Sequence, residues 1–158
     1  MRETVGVGLQ RAAWRRTSYP LFAPASDEGR SPSSGTQGTK VLIVEDDHLV
    51  AIEAEYALLE AGYEVAGIAA TAAEAFALAR AERPDIVVMD IRLAGDGDGI
   101  DTAIELFADS GLRSVFATAH GDAATRSRAE AAKPLGWLSK PYHPEALVRA
   151  VKKAIWQA

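Results

Sequence analysis

Cysteine is absent from this 158-residue chain, which excludes disulfides, a thiolate zinc site and cysteine nucleophiles and leaves no sign of an oxidising compartment. Long apolar runs are absent too. Charged or polar residues interrupt every hydrophobic stretch well short of the roughly 20 residues that cross a bilayer, so no membrane span is predicted and the chain reads as cytoplasmic. Nor is there an excess of positive charge. The net charge is −5, and it divides unevenly. Residues 1–40 hold six basic and three acidic side chains, a balance of +3, whereas the remainder holds 11 and 19, a balance of −8. An acidic body argues against nucleic acid as a partner, because that affinity rests on Lys and Arg neutralising phosphates.

With 48% apolar residues, the chain can bury one substantial core and is too short for two ordinary domains. Its first part does not contribute. The stretch SDEGRSPSSGTQGTK at 26–40 has no large apolar side chain with which to offset the entropy of ordering. The segment before it shows no sustained period, and its Arg-rich start makes no secretory signal because Arg11 closes the short VGVGL run. Residues 1–39 are therefore expected to form a flexible N-terminal extension and linker, and 40–158 the folded domain.

From Lys40 onward, short apolar runs alternate with helical patterns. Val41-Leu42-Ile43-Val44, Tyr63 to Ile68, Ile86-Val87-Val88-Met89, Val115-Phe116-Ala117 and Leu135 to Leu138 read as strands, the continuous runs being of the buried parallel kind. Between them lie helices. Leu49, Ile52, Tyr56 and Leu59 recur at steps of three and four, and Gly62 is placed to end that helix in a left-handed conformation. Thr71 and Glu74 have capping-box spacing, and Pro84 stops the second helix. Ile100, Ile104 and Phe107 mark a third, residues 122–132 an alanine-rich fourth behind an Asp122 cap, and Pro144 opens a fifth carrying Leu147, Val151 and Ile155. Five such units predict an α/β fold: a doubly wound five-stranded parallel sheet, most economically of order 2-1-3-4-5, with helices on both faces.

That order sets Asp46 beside Asp90, because strands 1 and 3 become neighbours at the switch point. Asp46, Asp90, Thr118 and Lys140 all follow strand ends, where open α/β sheets bind ligands. Clustered carboxylates repel and raise one another's pKa unless a cation intervenes, and magnesium suits one or two carboxylates plus a backbone carbonyl. Glu45, Asp46 and Asp47 also suit a helix N-terminus as capping acids. Asp90 does not, since no helix follows it directly. Lys140 before Pro141 can serve as a point charge for phosphate, and Thr118 adds a hydroxyl. A carboxylate that accepts a phosphoryl group is the chemistry these residues share.

Through VLIVEDD, PDIVVMDIRL, FATAH and GWLSKPY, the chain from about Lys40 to Ala158 resembles the receiver domain of two-component response regulators. The resemblance implies the flavodoxin-like receiver fold, a phosphoryl group taken from a sensor histidine kinase onto Asp90, and Mg2+ as cofactor. It implies direct magnesium bonds from Asp46, Asp90 and the Arg92 carbonyl, with Glu45 completing the acidic pocket through a water and Asp47 making none. Thr118 and Lys140 would bind the phosphoryl group, and Trp137 would be the switch aromatic that rotates inward, although a tryptophan is bulkier than the usual tyrosine or phenylalanine. Arg92 and His120 would line the path of attacking water. Homodimerisation through the fourth helix, fifth strand and fifth helix is compatible with it.

Nothing after the fifth unit remains to form an output domain, so a stand-alone regulator that signals to a downstream protein partner is expected, a switch rather than a turnover enzyme. A phosphate sink or intermediate relay receiver is the alternative. The other readings are weaker on residues, an aspartate-nucleophile phosphohydrolase remaining as the enzyme alternative. The loop GDGDGID places Asp101 and Phe107 where a calcium loop needs its glycine and its bidentate glutamate. EDDH after the first strand would repel a nucleotide phosphate. Asp90-Ile91-Arg92 lacks the second acid of an aspartate-nucleophile phosphohydrolase. The weak apolar anchoring of the alanine-rich helix predicts that it is the most mobile element and shifts on phosphorylation.

Overall fold

The computed structural model describes residues 38–95, 97–119 and 121–157. Apart from Gly38 and Thr39, the expected extension and linker lie outside the described residues. The chain alternates strand and helix: β1 (Lys40–Val44), α1 (His48–Glu60), β2 (Glu64–Ala69), α2 (Ala72–Glu82), β3 (Ile86–Asp90), α3 (Gly99–Ser110), β4 (Ser114–Thr118), α4 (Ala123–Ala129), β5 (Gly136–Ser139) and α5 (Pro144–Ile155). All pairings are parallel and the order is β2-β1-β3-β4-β5. The predicted doubly wound order is thus the observed one.

Successive side chains of a strand point to opposite faces, and the continuous apolar runs exploit both. Val41, Ile43, Val88 and Val115 pack on one side against Leu58 of α1 and Leu147 and Val151 of α5. Leu42, Val44, Val87, Met89 and Phe116 pack on the other, against Ile100 and Leu106 of α3. Each large buried side chain contributes about 1.5–3 kcal/mol relative to exposure. The helix ends follow local chemistry. Thr71 Oγ1 accepts from the Glu74 amide while Glu74 reaches back to the Ala70 amide, Asp122 accepts from Thr125, and Gly62 beyond α1 has φ 88°, a conformation that costs glycine little. The expected single fourth helix is shorter: it ends at Ala129 and continues as a 3₁₀ turn, Glu130–Ala132, closed by Lys133 at φ 47°.

The periodicity of α1 identified the helix, but the large apolar residues that mark it are not its buried face. Leu49, Ile52, Tyr56 and Leu59 point outward, with Leu49 74% and Tyr56 64% exposed. The buried face is Ala51, Ala54, Ala57 and Leu58. Small side chains let α1 lie close to the sheet and to α5, where larger ones would overpack a site already filled by Val41, Ile43, Val151 and Ala154.

Candidate functional site

The carboxyl ends of β1, β3, β4 and β5 bring together the predicted residues. Glu45 and Asp90 are buried, 5% and 8% exposed, while Asp46 beside them is open to solvent. Carboxylate oxygens of Glu45, Asp46 and Asp90 all lie within 4.8 Å of one another. Lys140 crosses from the end of β5 and donates from Nζ to Asp90 Oδ2 at 2.8 Å and to Glu45 Oε2. Its backbone amide donates to the Thr118 carbonyl at 2.9 Å, so the end of β4 holds the base of the lysine. The Lys140–Pro141 peptide is cis. Asp47 stands apart as the N-cap of α1, accepting from Leu49 and Val50. Capping explains this acid alone of the three.

Burial dominates the Glu45 carboxyl and pushes it up; the Lys140 hydrogen bond pulls it down, the Asp90 charge pushes it up again, and it ends above its ordinary value. Burial also pulls the Lys140 ammonium down, but hydrogen bonds to Asp90 and Glu45 outweigh it and hold the group above its ordinary value. Both shifts favour keeping a proton. Three carboxylates around one ammonium therefore carry surplus negative charge, which a hard divalent cation would offset. An all-oxygen donor set with Asp46 on the solvent side fits magnesium in type and access.

The loop leaving Asp90 is held tightly. Arg92 donates its amide to Asp90 Oδ1 at 3.3 Å, and Gly99 donates to the Ile91 carbonyl at 2.7 Å. Only glycine fits there, because a Cβ on Gly99 would sit 1.8 Å from the Asp90 carbonyl oxygen. Arg92 and Asp98 form an antiparallel bridge. Asp98 caps α3 through the Ile100 amide and accepts from Arg128 of α4 at 2.7 Å.

Thr118 is buried at the end of β4. Trp137, paired with Phe116 across β4 and β5, is half-buried and stacks on that ring at 4.9 Å between centroids. The guanidinium of Arg126 lies 4.8 Å from the Trp137 centroid. Sequence reasoning found the acids, Thr118, Lys140 and Trp137, but not Arg126, Asp98 or Arg128. Their partners are set by how α4 lies on the sheet, and no spacing encodes that. His120 lies outside the described residues.

Against known proteins, residues 41–152 match the family model of the response regulator receiver domain. The chain is 34% identical over 116 residues to the transcriptional regulatory protein PdtaR of Mycobacterium tuberculosis, covering 73% of this chain and 56% of that protein. It is 33% identical to the chemotaxis protein CheY of Thermotoga maritima over 73% of this chain and 97% of that one. Among solved structures, the signal receiver domain of a modulated diguanylate cyclase from Desulfovibrio desulfuricans aligns with a TM-score of 0.68 at 39% identity, covering 75% of this chain and 94% of that one. The chain spans about half the length of the first curated relatives it matches, 56% of PdtaR and 48% of the PhyR regulator of Methylorubrum extorquens. A parallel sheet of order 2-1-3-4-5, an acidic trio and a lysine at its carboxyl edge, and a family match over most of its length together make this chain a member of the response regulator receiver family.

Proposed function

We propose that residues 40–158 act as a phosphoacceptor switch in a cytoplasmic two-component phosphorelay, with Asp90 as acceptor. The observation that carries the reading is Lys140 Nζ, 2.8 Å from Asp90 Oδ2 within a trio of acids. A carboxylate oxygen of Asp90 attacks the phosphorus of a kinase phosphohistidine. The P–O bond forms as the P–N bond breaks, and the electron pair returns to the imidazole nitrogen, which takes up a proton. Lys140 and the Thr118 hydroxyl hold phosphoryl oxygens, so the protein contributes position and charge rather than covalent chemistry of its own. Asp46, Asp90 and the Arg92 carbonyl, with Glu45 through a water, would hold magnesium, which would supply positive charge to the transferring group. The acyl phosphate then signals to a downstream protein as a switch, not as a turnover enzyme. Among the described residues no helix is long and apolar enough to cross a membrane.

The kinase has a seat beside the site. The outward stripe Leu49, Ile52, Tyr56 and Leu59 starts just past the acidic pair and repeats at the 3-4-3 spacing of a coiled-coil seam. Glu53 and Glu60 flank it on one side and Glu55 on the other. A second copy of α1 would set acids against acids, whereas a partner helix with an apolar seam edged by Lys and Arg would complement both.

The test is direct. Incubated with magnesium and acetyl phosphate, the full chain should gain one phosphoryl group by intact mass, and Asp90→Asn should gain none. Equal labelling of the two would overturn the reading.

A further inference from the structure

Helix α4 has little apolar hold on the domain. Its buried side chains are Ala129 and, in the turn that follows, Ala132. Two arginines reach out from it in two directions. Arg128 donates to Asp98 Oδ2 at 2.7 Å and Asp101 Oδ1 at 3.3 Å, which fastens α4 to the start of α3. Through the bridge from Asp98 to Arg92, that tie leads to the amide on Asp90 Oδ1. Arg126 reaches the other way, donating from Nε to the Gly121 carbonyl at 3.0 Å and spreading its guanidinium over Trp137. Gly121 lies three residues past Thr118, and a side chain there would meet both the Arg126 guanidinium, 3.6 Å from its Cβ, and the Thr118 methyl at 3.8 Å.

We infer that Arg126 is a positioning residue: it latches Trp137 and the loop after Thr118 to α4 in the unphosphorylated arrangement, and so sets how readily the domain switches. The inference rests on Asp90 being the phosphoacceptor. A cation over a tryptophan face and a charge-assisted hydrogen bond to a carbonyl both depend on close geometry. If Thr118 draws toward a phosphoryl group on Asp90, the Gly121 carbonyl moves with its loop ahead of α4, which Arg128 ties to α3 until that helix shifts in its turn. The Arg126 contacts then belong to one of two arrangements. A contact made in only one state biases the equilibrium toward it, and by linkage weakens any ligand that prefers the other.

The experiment uses the full chain with Trp14→Phe and Trp156→Phe, leaving Trp137 as the only tryptophan, excited at a wavelength that tyrosine does not absorb. Emission is recorded without ligand and during titration with beryllofluoride and magnesium, a phosphoryl mimic. Arg126→Gln should shift ligand-free emission toward the value the parent reaches when saturated, and should tighten apparent beryllofluoride affinity about fivefold, as expected for losing one such contact from one state. Arg149→Gln on the exposed side of α5 removes the same charge and should change neither. Arg126→Lys keeps a cation near the ring but loses the planar N–H, and should tighten affinity about twofold, which guards against a folding defect in the glutamine variant. Parental emission and affinity in both Arg126 variants would overturn the latch alone. Absence of any Asp90-dependent response in the parent would overturn the phosphoacceptor reading and the latch with it.

Discussion

Lys140 Nζ lies 2.8 Å from Asp90 Oδ2 while also pairing with Glu45, so the proposed acceptor carboxylate already has a cation beside it. Replacing Lys140 by Met leaves two buried carboxylates facing each other. Phosphorylation of Asp90 by acetyl phosphate should slow by about 10–100-fold. Stability at neutral pH should fall by about 1–3 kcal/mol, since one partner of a largely buried cluster is lost. Labelling rates and urea unfolding check the two effects separately.

Magnesium should stabilise the domain, because the acids proposed to hold it come together only on folding. At about 100-fold excess over Kd the gain is about 2.7 kcal/mol. Asp46→Asn should abolish most of that gain without lowering the metal-free melting temperature, because Asp46 is exposed and its loss relieves repulsion among three clustered carboxylates. Thermal melts with and without magnesium decide this.

Gly99→Ala should destabilise the fold by more than about 3 kcal/mol, because the added methyl would lie 1.8 Å from the Asp90 carbonyl oxygen. The strand end carrying Asp90 would have to move. Guanidinium unfolding and Asp90 labelling should both report the damage.

The tie between Asp98 and Arg128 should be acid-labile. Burial pushes the Asp98 carboxyl up, but the Arg128 and Ile100 hydrogen bonds outweigh it and hold the group below its ordinary value of 3.8. A depressed folded value means the contribution is present above pH 3.8 and is lost as pH falls through the folded value. Asp98→Asn keeps the cap and removes the charge. The stability difference from wild type should be constant from pH 7 to about 5, under about 1 kcal/mol for so exposed a pair, and should shrink below pH 3.8.

Tyr56→Ala and Leu59→Ala should separate docking from chemistry. Both side chains are exposed, so stability should change by less than about 0.5 kcal/mol. Transfer from the cognate kinase should fall about tenfold or more while labelling by acetyl phosphate stays constant. Equal losses with both donors would show that the stripe does not serve docking.

Much of this was legible in the sequence because the signals were local. Buried parallel strands announce themselves as three- or four-residue apolar runs, and the polar residues just past each run lie at the ligand-binding edge by topology alone. Asp46, Asp90, Thr118 and Lys140 were found that way. The inward face of α1 was not, because periodicity identifies a stripe without saying which way it turns, and alanines that pack closely carry little weight beside Leu and Tyr. The arginines of α4 were invisible for another reason. Arg128 meets Asp98 across thirty residues, and nothing in either neighbourhood marks the other.

The inverted loading of α1 divides labour within a single helix. Ala51, Ala54, Ala57 and Leu58 fasten it to the sheet, which relieves Leu49, Ile52, Tyr56 and Leu59 of any duty in folding. Those four positions can drift, one substitution at a time, without disturbing the acid at Asp90, and under the proposed docking each step would alter whom the domain recognises. On that proposal, paralogues that share one chemistry yet answer to different senders would arise by rewriting that outer row.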